Sequence, residues 1–196
     1  MFDSGRVHAK GHKSVEWYTP PEIFRKLGIS FDLDPASLHD METFVPAVRK
    51  LTVFDDGLSK EWAGRVWLNP PYGPMTGRWI KRMAEHRNGI ALVFSRTDTA
   101  WCQEAMKSAD AMLFMAGRIE FIPGQENQHK RARCGASTVL FAWSDVCAEA
   151  LLRLADQGTF IRRDASLKQG GQRSRHSNSR RCSAHRSTCR GHHLRA

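Results

Sequence analysis

Between Arg65 and Ser95 the chain reads as strand, helix, strand, and this unit constrains the fold more than any other stretch. "GIALVFS" (89–95) is apolar at nearly every position, as a strand is when helices cover both faces of its sheet. "RWIKRMAEH" before it sets Trp79, Ile80, Met83 and Ala84 on one helical face. "GRVWLNPPYG" (64–73) opens the unit as an apolar strand that runs straight into two prolines.

The flanking segments continue the alternation. "TPPEIFRKLG" predicts a short helix with Thr19 as N-cap, a proline in the first helical position and Gly28 at the exit. "ISFDLD" and "RKLTVFDDG" read as strands that end on acids. "TAWCQEAMK" reads as a helix and "AMLFM" as a strand. "RIEFI" and "STVLFAW" bracket a polar, basic loop and read as an antiparallel pair. "SDVCAEALLRLADQG" closes the fold as a capped amphipathic helix. Strands alternating with helices predict an α/β fold with functional residues at the carboxyl ends of its strands. The sheet is expected to be mostly parallel with a terminal antiparallel hairpin, in one compact domain over residues 16–160. A flexible N-terminus is expected at 1–15.

The net charge of +10 over 196 residues suggests nucleic acid until it is divided along the chain. Eight Lys or Arg residues and no acid lie between Lys168 and Ala196, so residues 1–167 carry only +2. Any DNA contact of the folded part must therefore come from a local patch. The segment 166–196, rich in Ser, Arg, His and Gly, has too little apolar surface to offset its ordering entropy and is expected to be a basic, disordered tail. Within it Cys182, His185, Cys189 and His192 have an irregular spacing and no apolar residues for a small core, so no metal site is expected. Five scattered cysteines, no secretory leader and no bilayer-length apolar run predict a reduced, cytoplasmic setting without membrane contact.

The two prolines at 70 and 71 remove two backbone donors and fix two φ angles, so the turn after "VWL" is stiff. One reading is a rigid strand-to-helix turn with Tyr72 packed on a neighbour. The other is a site in which Asn69 and the carbonyl of Pro70 are aimed at a ligand. Asp55-Asp56-Gly57 is similarly open between a ligand-binding acid and an ordinary turn. The basic loop "GQENQHKRARCG" (124–135) is either an arm for phosphate contact or a solvated loop. For Trp101 and Phe121 core packing is the expectation.

Asn69-Pro70-Pro71-Tyr72 resembles the catalytic motif of S-adenosylmethionine-dependent amino methyltransferases. The wider order "EWYTPPEIF", "FDLDPAS", "TVFDDGL..EW", "VWLNPPYG", "SRTDTAW" and "GRIEF" resembles the small phage-encoded DNA N-6-adenine methyltransferases, over roughly residues 16 to 143. The resemblance implies a Rossmann-like methyltransferase fold and methyl transfer to the exocyclic N6 amine of adenine in double-stranded DNA, with the base flipped out of the stack. That amine is a poor nucleophile because its lone pair is delocalised into the ring. Two acceptors, the Asn69 side chain and the Pro70 carbonyl, would localise the lone pair, with Pro71 keeping the turn stiff and Tyr72 stacking on the base.

By the same resemblance Tyr18, Thr19 and Pro20 cover S-adenosylmethionine, and Asp34, Pro35 and Ala36 lie near its amino-acid part. The glycine-rich continuation seen after this motif in related enzymes is missing here, as it is in the small phage enzymes. Asp55 and Asp56 are candidates for the ribose or adenine of the cofactor, and which takes which role stays open. Only 31 residues (38–68) separate "DPAS" from "NPPY", too few for the usual set of strands and helices. Arg96, Arg118, Lys130 and Arg131 are the candidate DNA contacts, and a monomer is assumed. Other amine acceptors (cytosine, RNA, a protein glutamine) and a non-catalytic DNA-binding prophage remnant are the rival readings.

Overall fold

The computed structural model describes residues 17–39, 42–123, 132–133 and 135–164. In chain order the elements are β1 (Trp17–Tyr18), α1 (Pro21–Leu27), β2 (Phe31–Asp34), β3 (Ala47–Lys50), β4 (Val66–Leu68) and α2 (Thr76–His86). They continue as β5 (Gly89–Phe94), α3 (Ala100–Ser108), β6 (Ala111–Met115), β7 (Glu120–Pro123), β8 (Ala132–Arg133) and β9 (Thr138–Trp143). The last are α4 (Asp145–Leu152), a 3-10 turn at Ala155–Gln157 and β10 (Gly158–Arg162). The predicted tail and its Cys/His cluster lie outside the described residues, as do the N-terminal segment up to residue 16, Lys130 and Arg131.

The main sheet has seven strands in the order β10-β6-β9-β5-β4-β2-β3. Strands β2, β3, β4, β5 and β6 point the same way, while β9 and β10 run against them. Along β5, Ile90 and Leu92 face one apolar cluster and Ala91 and Val93 face the other. On β9, Leu140 and Ala142 alternate in the same way with Val139, Phe141 and Trp143. A period of two with apolar residues on both faces requires a covering layer on each side. Ile23, Phe24 and Leu27 of α1 and Cys147 and Leu151 of α4 supply one layer. Trp79, Ile80 and Met83 of α2 and Cys102 and Ala105 of α3 supply the other.

The predicted hairpin does not form as expected. The strand at "STVLFAW" lies between β5 and β6 and is antiparallel to both. Its six residues are all buried, which only an interior position allows. The strand at "RIEFI" instead joins β1 and β8 in a separate three-stranded sheet, order β1-β7-β8. The strand expected at "RKLTVFDDG" is shorter and earlier: β3 ends at Lys50, and turns occupy most of the stretch from Val53 to Lys60. The Asp55 carboxylate accepts the Thr52 N–H (2.7 Å) and hydroxyl (3.0 Å), a local bond that competes with strand extension. Helix α1 starts one residue later than predicted. Pro20 is its N-cap and makes no side-chain bond, while Gly28 closes it at φ 62° as expected. The strand β10, paired with β6, has no counterpart among the predicted elements, because "GTFIR" has no local pattern that separates it from the end of the last helix and the polar tail.

Leu140 is fully buried at the centre of the sheet, within the cluster that holds Ile90, Leu92 and Leu113. Leu140→Ala is expected to destabilise the protein by about 2–5 kcal/mol. Urea unfolding should show a lower midpoint with an unchanged slope.

Candidate active site

From β2 the chain crosses to β3 on one side, and from β4 it crosses to β5 on the other. The crossovers therefore reverse between β2 and β4, which lie side by side, and a crevice opens above their carboxyl ends. Asp34 is the last residue of β2 and Asn69 follows the last residue of β4. Two of the predicted site segments thus meet where an α/β sheet binds its ligands.

β4 has only three residues, and Val66, Trp67 and Leu68 are all fully buried. The strand is held on both faces up to the residue before Asn69. Beyond it, the Thr76 hydroxyl donates to the Pro71 carbonyl (3.2 Å) and accepts the Gly73 N–H (3.1 Å), which ties the turn to the start of α2. The Pro70 carbonyl, in contrast, accepts no hydrogen bond among the described residues. The Asn69 amide donates from Nδ2 to the Thr19 hydroxyl (3.5 Å) and accepts at Oδ1 from the Tyr72 hydroxyl (3.3 Å). The Tyr72 ring lies parallel to Phe94, with centroids 3.7 Å apart and planes 12° apart. Phe94 is the last residue of β5, and no sequence pattern distinguishes it from an ordinary core residue.

Asp34 is only 3 % exposed. Burial pushes its carboxyl up to about 7, against the N–H of Ala36, the hydroxyl of Ser37 and the charge of Lys50, which all pull it down. The Ala36 N–H reaches Oδ1 at 3.2 Å. The loop that carries Asp34-Pro35-Ala36 is pinned to the residue after β3 by two bonds of 2.8 Å, Leu51 N–H to the Asp34 carbonyl and Ser37 N–H to the Leu51 carbonyl. Tyr18, Thr19, Pro20 and Pro35 are buried and Ala36 is half-buried.

Asp55 and Asp56 sit in the turn beyond β3 rather than at a strand end. The two Thr52 bonds, both to Oδ2, hold the Asp55 carboxyl below the usual range, so this oxygen serves the turn. Asp56 is exposed and has a left-handed backbone, φ 50°. Gly57 carries the turn against the Asp34 loop: a Cβ there would stand 1.9 Å from the Pro35 carbonyl oxygen. The Gly57 carbonyl accepts the buried Trp62 indole N–H at 2.8 Å.

Arg96 and Arg118 are exposed, Arg96 just after β5 and Arg118 between β6 and β7, on the same edge of the sheet as Asn69. Arg118 lines a cleft with Pro20, Ile23, Met115 and Glu120. Phe121 is buried and Trp101 packs on the cluster beneath α2 and α3, as expected of core residues. Among the described residues there is no group of three metal-ligating side chains, and no helix is long and apolar enough to cross a membrane.

The family model described as DNA N-6-adenine-methyltransferase (Dam) matches residues 7–173. The chain belongs to this family. Membership implies DNA as the substrate and adenine N6 methylation as the activity. Neither the curated proteins nor the solved structures contain a match to the chain. The matched span of this Dam-family chain takes in every element of the site above, from Thr19 to Arg118.

Gly57→Ala tests the join between the two loops. Both colliding atoms are backbone, so the loops must separate, at an expected cost of about 1–3 kcal/mol. Chemical denaturation should read that loss, together with a changed tryptophan emission as Trp62 loses its carbonyl partner.

Proposed function

We propose that the protein transfers a methyl group from S-adenosylmethionine to the N6 amine of an adenine turned out of double-stranded DNA, with the amine held at Asn69 and Pro70. The observation that carries this reading is the unequal use of the two proline carbonyls. Thr76 occupies that of Pro71, while that of Pro70, beside the Asn69 amide, accepts no hydrogen bond from the described residues. Two acceptors on a stiff turn suit an amine with two hydrogens. Asn69 Oδ1 and the Pro70 carbonyl would each take one hydrogen, so the lone pair is withdrawn from the ring's π system and localised on the nitrogen. Tyr72 has one ring face on Phe94, and the opposite face is the platform for the base.

A buried carboxylate above the switch point suits a ligand that brings its own positive charge, and the Asp34 site fits S-adenosylmethionine on that ground. Asp34 would hold the ammonium of the amino-acid end, with Pro35 and Ala36 beside it and Tyr18, Thr19 and Pro20 closing the crevice. The reversal of crossovers between β2 and β4 supports a Rossmann-like binding mode. When bound, the cofactor supplies a methyl group already activated as a sulfonium. The chain's part is therefore positioning and the exclusion of water. Asp56, which is free of the Asp55 turn bonds, is the better of the two acids for the nucleoside end. Arg96 and Arg118 would meet phosphates flanking the flipped base, and Lys130 and Arg131 would serve the same role. The protein acts as a monomer in the cytoplasm, where methylation of phage or prophage DNA would shield it from restriction nucleases.

Label from S-adenosylmethionine should appear as N6-methyladenine in unmethylated double-stranded DNA. Asn69→Ala is expected to lower the turnover by about 10²–10³-fold, the usual cost of losing one preorganised polar group. Cofactor affinity, read by calorimetry, should survive. Label on cytosine, or undiminished turnover in the variant, would overturn the reading.

The Asp34 shift gives a second test. The folded-state value lies above the ordinary 3.8, so protonated Asp34 favours folding below about pH 4, and that advantage is lost as pH rises through about 7. An ammonium binds the ionised form. Affinity for S-adenosylmethionine is therefore expected to climb between pH 5 and 7, by up to about tenfold per unit. Asp34→Asn should flatten that profile in calorimetric titrations.

A further inference from the structure

Helix α2 begins against the usual rules for helix ends. Its N-cap is Met75, which makes no side-chain bond to the orphan N–H groups, where Ser, Thr, Asp or Asn is preferred. Its first turn holds no acid and carries Arg78, a cation at the end where the helix dipole favours anions. Residues that break a local rule with no gain in stability point to function. A lone exposed methionine is ordinary on a protein surface. The backbone that carries Met75 is not. Gly73 turns the chain at φ 139°, where an added Cβ would meet nothing within 4 Å. Thr76 holds the turn from inside: its hydroxyl bonds the Gly73 N–H and the Pro71 carbonyl, and its N–H donates to the Gly73 carbonyl (3.1 Å). The Met75 carbonyl accepts the N–H groups of Arg78 (3.0 Å) and Trp79 (3.3 Å). Pro74 and Met75 thus stand exposed, Met75 by 41 %, on a backbone fixed at both ends and directly after Tyr72 and Gly73. From Asn69 to Ala84 the chain carries Arg78, Lys81 and Arg82 and no acid. The start of α3 packs alongside, with Trp101 against Gly77, which brings the Arg96 loop to the same rim.

We propose that Met75, with Pro74 beside it, is the wedge that fills the gap left in the duplex when the target adenine is turned out. The proposal rests on the reading of Asn69 and Tyr72 as the place where that base is held. Extruding a base breaks its stacking on both neighbours and leaves an apolar slot between them. Methionine and proline are among the side chains that proteins insert between base steps. An unbranched thioether also adapts to a slot of irregular shape. Tyr72 receives the base and Met75 lies on the same turn, so one stiff segment serves both ends of the movement. Because its backbone is already fixed, only the Met75 side chain is ordered on insertion. The cations of α2 and the absence of acid beside them let this rim come close to a DNA strand.

The test compares the full-length wild type with Met75→Ala, which removes the wedge, and Met75→Leu, which keeps its bulk. On unmethylated double-stranded DNA, Met75→Ala is expected to lose roughly tenfold in kcat/KM for DNA, the worth of the apolar area withdrawn. Met75→Leu should stay within about twofold. Neither alanine nor leucine caps a helix, so the start of α2 is the same in both variants. Affinity for S-adenosylmethionine, read by calorimetry, should match wild type in both. Equal kcat/KM in wild type and Met75→Ala, or a loss as large in Met75→Leu, overturns the proposal. A second readout does not need turnover. A photoactivatable diazirine analogue of methionine is placed at position 75, and the full-length protein is irradiated with duplex DNA and S-adenosylhomocysteine. Crosslinks to bases support the proposal; crosslinks to sugar and phosphate alone, or none, overturn it. If wild type transfers no methyl to DNA, the reading of the reaction fails, and the crosslinks still decide whether Met75 enters the duplex.

Discussion

Trp67 is fully buried and lies between Phe24 (4.7 Å) and Phe31 (5.6 Å), and this aromatic contact sets the spacing of the candidate site. Its ring belongs to β4, one residue before the strand ends, while Phe24 belongs to the helix that follows Thr19 and Phe31 opens the strand that ends on Asp34. One side chain thus ties together the three segments that supply the Asn69 turn, the Thr19 segment and the Asp34 loop. Aromatic contacts of this kind add to area burial and prefer particular ring geometries. They therefore restrict how the segments can slide past one another. The stiffness of the Pro-Pro turns matters only because the strand and helix beneath them are held in this way.

The second constraint is electrostatic. Asp34 is kept almost wholly from water at the point where the crossovers of the sheet reverse, and its carboxyl is pushed up to about 7. The loop that holds it gains its shape from neighbours on both sides: Leu51 through the backbone and Gly57 through a close approach that leaves no room for a side chain. The turn after β3 is thus a structural wall of the crevice. Thr52, Asp55 and Gly57 each have a defined part in that wall, and Asp56 is left to face outward.

Much of this was legible in local pattern. The doubly apolar run of β5, the amphipathic face of α2, the Gly28 exit of α1 and the position of NPPY at a strand end all stem from periodicities and residue conformations that act over a few positions. The family blocks were legible too, because short motifs keep their order whatever the packing. Two of the departures fall where pairing partners are distant. "STVLFAW" is as apolar as a central strand, yet nothing local says that it inserts between β5 and β6. "RIEFI" alternates like any half-buried strand and gives no sign that it joins a separate small sheet with Trp17–Tyr18. At "RKLTVFDDG" a local bond, Asp55 to Thr52, was strong enough to end a strand that propensity alone would extend.

The sequence by itself determined the α/β class, the stiff Asn69–Tyr72 turn, the acid at the end of β2 and the family, since each depends on residue type and short spacing. Only the tertiary structure decided that Thr76 takes the carbonyl of Pro71, that Phe94 backs Tyr72, and that the Thr19 hydroxyl meets the Asn69 amide instead of capping its helix. The physical reason is the same in each case. Hydrogen bonds and ring contacts between residues tens of positions apart depend on how strands are ordered in the sheet, and that order is settled by burial of whole faces rather than by any one segment.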